Sequence, residues 1–245
     1  MRKQVAMVTS VAIVCFFVGT LFNMNFIATA ISNLQTNARW RSPALELYQT
    51  EDLYYHTFLE SIDGFQSAGA VQQAGYVDLI TGGQTGDAAY LRFIPNNPIR
   101  WLDFAKPFRF RTTINLISTT AQVAYITVGI NALMGNAIGF KIVDDVVYGV
   151  AENNGVDTTV QLGQYGIDIG FGSVLECVYT PDLAKFYADK TLLGTLTSGF
   201  PPHISDEPQY LMNIYIRTTD DAPKELYAGE WELLGRTQSA MVVGD

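Results

Sequence analysis

Two carboxylates spaced two residues apart, Glu230 and Glu232, are the closest this 245-residue chain comes to a pair suited to acid–base work. In a β-strand that spacing puts both side chains on one face, and two carboxyls are what glycosidic bond cleavage requires. Alternate charges are also what any water-facing strand carries, and the pair is read here as a solvated face. The two histidines, His56 and His203, lie far apart and neither sits in a recognisable nucleophile context, so a Ser/His or Cys/His system has no support. No His/Cys cluster has zinc spacing. Gly82-Gly83-Gln84-Thr85-Gly86 lacks the Lys of a phosphate-binding loop and reads as a turn.

Two further groups are candidates for binding. Asp144, Asp145, Asn153, Asn154 and Asp157 are oxygen donors close in sequence, a candidate Ca2+ set whose ordinary role is turn formation. No other cofactor is expected. Asn213, Tyr215 and Arg217 alternate along one strand, opposite Met212, Ile214 and Ile216. With Arg109 and Arg111 they form a candidate ligand platform, with a ring to stack on a sugar and planar polar groups for hydroxyls.

The elements that carry these residues read as short strands. Alternation or β-rich runs mark Tyr76–Ile80, Tyr90–Ile94, Phe108–Ile117, Gln122–Ile130, Ile138–Val143, Val146–Ala151 and Thr158–Leu162. Val174–Tyr179, Lys185–Ala188, Leu192–Thr197, Tyr210–Arg217 and Leu226–Leu234 follow. Gly, Pro, Asn and Asp punctuate them at the spacing of a sandwich. Phe108, Phe110, Ile114, Ile214, Ile216 and Trp231 are the expected core. Tyr227, Gly229, Trp231 and Leu233 are placed on one face of the last strand, against Glu230 and Glu232. Hydrophobic residues make up 48% of the chain and charged ones only 16%, enough to bury a large core. A net charge of −9 repels phosphate backbones, so nucleic acid is excluded as a partner.

Cys15 and Cys177 sit in an apolar stretch and a strand, so no disulfide framework exists, and Cys177 reads as a small core residue. Arg2 and Lys3 precede an uncharged run, Val5 to Phe22, followed by Ala28-Thr29-Ala30. A cleavable signal and a retained membrane-anchor helix both fit. Either puts the rest of the chain outside the cytoplasm, because the positive charges lie in front of the apolar run. The expected organisation is a signal or anchor at 1–30, a lead-in of unclear structure at 31–65, a β-sandwich at 66–236 and a tail at 237–245.

The stretch from Glu176 to Thr197 carries a family resemblance. A strand meets Thr180-Pro181-Asp182, then Phe186-Tyr187-Ala188-Asp189-Lys190 leads into Leu192-Leu193-Gly194. Together with Phe108-Arg109-Phe110, Ile138-Gly139-Phe140, Val147-Tyr148-Gly149-Val150 and Tyr227 to Glu232, it resembles concanavalin A-like, laminin-G-like jelly rolls over about Gly75 to Leu234. The resemblance implies an all-β, antiparallel two-sheet jelly-roll sandwich, here preceded by an N-terminal apolar helix, with glycan binding on a sheet face or rim. Asp189-Lys190 replaces the pattern's Asp-Gly, and Lys in a left-handed turn costs about 1 kcal/mol relative to Gly. Glucanases of this fold carry Glu-x-Asp-x-x-Glu on one strand. The nearest string here, Gly166-Ile167-Asp168-Ile169-Gly170-Phe171, keeps only the Asp. The sequence reading is therefore a non-catalytic, exported or membrane-tethered module that binds a glycan or surface protein, with homo-oligomerisation open. A structural subunit of an appendage, envelope or virion is the first alternative, and a jelly-roll glycoside hydrolase the least favoured.

Overall fold

In a computed structural model, residues 51–56, 58, 62, 65–94, 102–130, 135–202 and 210–235 are described. The expected N-terminal helix at 1–30 and the tail at 237–245 lie outside them, as do His203 and Cys15. Among the described residues no helix is long and apolar enough to cross a membrane.

The strands are β1 (Glu51–His56), β2 (Gln66–Ala68), β3 (Ala70–Gln73), β4 (Tyr76–Ile80), β5 (Ala88–Phe93), β6 (Phe108–Leu116), β7 (Gln122–Ile130) and β8 (Asn136–Val143). They continue as β9 (Val146–Asn153), β10 (Val156–Gln164), β11 (Val174–Thr180), β12 (Leu183–Ala188), β13 (Thr191–Leu196), β14 (Tyr210–Thr218) and β15 (Glu225–Gly235). The named strands pair antiparallel throughout. One sheet has the order β13-β12-β11-β6-β15-β4-β3, with β1 also pairing β15; the other runs β10-β9-β8-β7-β14-β5-β2. Strands far apart in sequence lie side by side, as β6 does with β15 and β7 with β14, which is the crossover pattern of a jelly roll. All belong to one compact unit, Tyr48–Asp245.

The sequence expectation of twelve strands from Tyr76 onward matches β4 to β15 within a few residues at each end. Three more, β1 to β3, lie where no alternation persists in the sequence. Their pairing with β15, β5 and β4 comes from long-range contact rather than local pattern.

An aromatic ladder joins the sheets. Trp231 of β15 stacks on Phe110 of β6 with centroids 5.3 Å apart, Phe110 meets Phe140 of β8 edge-on at 6.0 Å, and Phe140 meets Phe186 of β12 at 5.5 Å. Trp231 Nε1 donates to the Leu211 carbonyl of β14 at 3.1 Å, so a buried donor is satisfied across the sandwich. All six expected core residues are buried. Gly149 makes this packing feasible: a Cβ there would sit 2.5 Å from the Phe186 ring.

Two turns and a bulge set the register. Asn154-Gly155 has both residues at positive φ, the primed turn that matches strand twist. Asp189-Lys190 makes the same kind of turn, at φ 47° and 73°, so Lys occupies the position where Gly is cheaper. The Asp189 carboxylate compensates by accepting from Ser173 Oγ at 2.7 Å and Val174 N at 3.0 Å. In β15 the register shifts between Ala228 and Trp231. This bulge corrects the expected alternation: Ala228, Trp231 and Leu233 face the core, whereas Tyr227, opposite Asp78 and Asn115, faces outward. Two residues, Gly229 and Glu230, are accommodated without a one-to-one partner, which reverses the face on one side of them.

Candidate active site on the seven-stranded sheet

Strand alternation makes the outer face of the seven-stranded sheet a polar and aromatic surface. Ile138, Phe140 and Ile142 of β8 enter the core, so Ala137, Gly139 and Lys141 point outward. Cross-strand pairing then aligns Gln161, Tyr148, Lys141, Tyr125, Tyr215 and Tyr90 in one row across β10, β9, β8, β7, β14 and β5. A second row holds Thr127, Asn213 and Arg92.

At one end of the face Glu152 of β9 lies directly opposite Asp157 of β10. The pairing follows from the turn between them: a two-residue loop at Asn154-Gly155 sets 153 against 156 and 152 against 157. Glu152 is 5% exposed and accepts from Gly135 N at 3.1 Å. Burial pushes its carboxyl up to about 7, with the charge of Asp157 adding to the rise and the Gly135 hydrogen bond opposing it. Asp157 is exposed and held by Lys141 Nζ at 2.6 Å. Lys141 in turn lies 5.4 Å from the centroid of the Tyr125 ring. Two carboxyls thus sit side by side in unlike surroundings, one buried and proton-holding, the other ion-paired. Such a split is how one site keeps an acid and a carboxylate at the same pH.

The rest of the face is built on stacked rings. Tyr125 and Tyr215 are 6.3 Å apart. Arg92 lies 4.4 Å from the Tyr90 centroid, 5.5 Å from that of Tyr210 and 5.9 Å from that of Tyr215. Asn213 Oδ1 accepts from Arg92 Nε at 2.9 Å, and Asn213 Nδ2 donates to Thr127 Oγ1 at 3.1 Å.

The residues singled out in the sequence are distributed as follows. Asn213 and Tyr215 lie on this face but beneath their neighbours, at 0% and 7% exposure, while Arg217 is exposed. Arg109 and Arg111 are on β6 in the other sheet, so the five-residue platform is divided between opposite faces. There they meet the β15 carboxylates: Arg109 Nη2 to Glu232 at 2.7 Å, Arg111 Nε to Glu232 at 2.7 Å and Arg111 Nη2 to Glu230 at 3.4 Å. Glu230 and Glu232 are therefore neutralised by guanidinium groups rather than placed as a proton donor and a base. Glu176 borders the same cluster, its carboxyl raised by burial against the lowering effect of both arginines.

The oxygen-donor set separates too. Asp144 and Asp145 close the hairpin at one end of β9, and Asn153, Asn154 and Asp157 lie at the other. Asp144 Oδ1 accepts from Gln122 N, Asp145 Oδ2 from Gln164 Nε2, and Asn153 Oδ1 from Asn154 Nδ2. Among the described residues no three His, Cys, Asp or Glu side chains gather to hold a metal. Asp168 caps its own loop by accepting from Gln164 N at 2.9 Å. Glu152, Arg92, Tyr90, Tyr125 and Lys141 are absent from the sequence candidates. The Glu152–Asp157 pair was nevertheless accessible from the Asn-Gly turn and its two-residue loop.

No family model matches this sequence, and no curated protein does either. Solved structures do share the fold. A lichenase (β-1,3-1,4-glucanase) from a mouse hindgut metagenome superposes with a TM-score of 0.56 at 8% identity, covering 78% of this chain and 100% of its own. The Bacillus licheniformis β-glucanase gives 0.53 at 12% identity, over 76% and 98%. The CBM2 module of an evolved Dit from Lactobacillus casei BL23 phage J-1 gives 0.51 at 9% identity, over 76% and 95%. Laminarinases and an endo-β-1,3-glucanase are among the others. The fold is the two-sheet jelly roll these structures share, as the resemblance in the sequence implies. The expectation of a non-catalytic module does not stand against these neighbours, most of which are glucan hydrolases.

Proposed function

We propose that this chain is a glycoside hydrolase of the jelly-roll glucanase type, acting on a β-linked polysaccharide laid across the outer face of the seven-stranded sheet. The observation that carries the reading is the Glu152–Asp157 pair, one carboxyl buried and the other ion-paired to Lys141, at the end of a row of tyrosines. Glu152 and Asp157 oppose each other directly on adjacent strands, close enough for the charge of Asp157 to act on the Glu152 carboxyl. Retaining glycosidases likewise work with two neighbouring carboxyls, one as acid and one as nucleophile. The pair stands on two adjacent strands, unlike the single-strand Glu-x-Asp-x-x-Glu arrangement, so the carboxylates are supplied by a hairpin instead.

In this mechanism Glu152, protonated below about pH 7, gives its proton to the glycosidic oxygen as the bond from C1 breaks. Asp157, oriented by Lys141, attacks C1 and forms a glycosyl ester. Glu152, now a carboxylate, takes a proton from water, whose oxygen attacks C1 and releases Asp157. The half-buried rings of Tyr148, Tyr125 and Tyr90 supply the sugar-stacking surface, with buried Tyr215 packed beneath as support. Export through the apolar N-terminal segment would place such an enzyme with extracellular polysaccharide, and fractionation of the native protein tests that placement.

The direct test is release of reducing ends from mixed-linkage β-glucan and laminarin. Glu152→Gln should lower the rate by about 10²–10⁴, the usual contribution of a positioned acid or base, and Asp157→Asn, which removes the nucleophile, should lower it at least as far. The wild-type rate should fall as pH rises through about 7, because Glu152 then loses the proton it donates. No hydrolysis of any β-glucan, or full activity in Glu152→Gln, overturns the reading.

A further inference from the structure

Among the described residues no carboxylate faces Arg92. Lys106, Arg109, Arg111, Lys141 and Lys224 each face a carboxylate. The side-chain contacts of Arg92 among the described residues are instead an amide oxygen and three tyrosine rings. This occurs in a chain with 24 acidic residues against 15 basic ones, where a carboxylate partner is easy to supply. The cage also orients the group. Asn213, fully buried, gives its oxygen to Arg92 Nε because its nitrogen is committed to Thr127 Oγ1. Nε is one of five guanidinium donors. The two terminal nitrogens remain, in the planar fork that fits two oxygens of one anion. Tyrosine faces offset part of the cost of holding a partly desolvated cation. An anion from outside would complete the compensation.

We propose that the polysaccharide taken by this face carries an anionic group, a uronate carboxylate or a sulfate ester, and that Arg92 reads it. The proposal rests on the reading above that the outer face holds a glycan chain. Arg92 on β5 and Glu152 on β9 are four strand spacings apart, about 19 Å at roughly 4.8 Å per step. The anion is therefore recognised several sugar units away from the bond that breaks, and its contribution is to chain placement rather than to the proton transfers.

The experiment separates this proposal from the hydrolase reading by measuring binding in a Glu152→Gln background, where cleavage is removed. The probes are polygalacturonate for the carboxylate, κ-carrageenan for the sulfate and laminarin as the neutral chain. One of the two acidic chains is expected to bind at least tenfold more tightly than laminarin, and the preference to weaken as salt is raised. Arg92→Gln should remove the preference, and Arg92→Lys should restore only part of it, because a point charge lacks the fork. Lys185→Gln, on the outer face of the other sheet, should leave it unchanged and controls for general charge. Equal binding of acidic and neutral chains, or a preference indifferent to Arg92→Gln in a variant of unchanged melting temperature, overturns the proposal. Laminarin hydrolysis by wild type that survives Arg92→Gln would sustain the hydrolase reading while sinking this one. Arg92-dependent binding without hydrolysis by wild type would do the reverse.

Discussion

Replacing Glu152 by Gln tests the electrostatics of the carboxyl pair through stability, independently of any substrate. The amide has the same shape and keeps an oxygen to accept from Gly135 N, a bond of 3.1 Å. What it removes is the charge. In the folded protein Glu152 titrates at about 7 rather than at its ordinary 4.5, chiefly because burial disfavours the carboxylate and next because Asp157 is close. Between those values the folded state holds a proton that the unfolded chain has lost. Stability contributed by this group is thus fully present below about 4.5 and is lost as pH rises through about 7. At roughly 1.4 kcal/mol per pH unit the whole interval amounts to about 3 kcal/mol. Urea unfolding at pH 4 and pH 8.5 is the assay. Glu152→Gln should match wild type at pH 4 within about 0.5 kcal/mol and exceed it by about 2–3 kcal/mol at pH 8.5, with m unchanged. Asp78, raised to about 6 by burial and by Glu225, moves the wild-type profile in the same direction but is common to both proteins. Equal effects at the two pH values, or a variant less stable than wild type at pH 8.5, would refute the claim that Glu152 is held protonated by its surroundings.

Two further outcomes follow from the packing and the turns. Trp231→Ala should cost about 3–5 kcal/mol in chemical denaturation, since it empties the stack on Phe110 and strands the Leu211 carbonyl; a loss under 1 kcal/mol would contradict its place at the sandwich centre. Lys190→Gly should raise stability by about 0.5–1 kcal/mol and the melting temperature with it, because φ is 73° at that position; a decrease would mean that the Lys side chain contributes more than its strain costs.

Much of the fold was legible before any tertiary information, because strand alternation and turn chemistry are local. Phe108, Phe110 and Ile114 announce a buried face through their period of two. Asn154-Gly155 announces a tight hairpin, and that hairpin's register already sets Glu152 against Asp157. The motif from Glu176 to Thr197 identified the jelly roll, since its meander is made by neighbours in sequence pairing with neighbours. Three features were decided only by the folded chain. The bulge at Gly229 and Glu230 turned Tyr227 outward, and no local signal says which side of a bulge keeps the phase. Placement of β6 in one sheet and β14 in the other sent Arg109 and Arg111 to the face opposite Asn213 and Tyr215, because alternation defines two faces per strand but not which strands share a sheet. The protonation of Glu152 and the aromatic cage of Arg92 depend on burial and on β5, β7 and β14 meeting side by side. Those are properties of long-range contact, where desolvation acts, and a residue's neighbours in sequence carry no record of them.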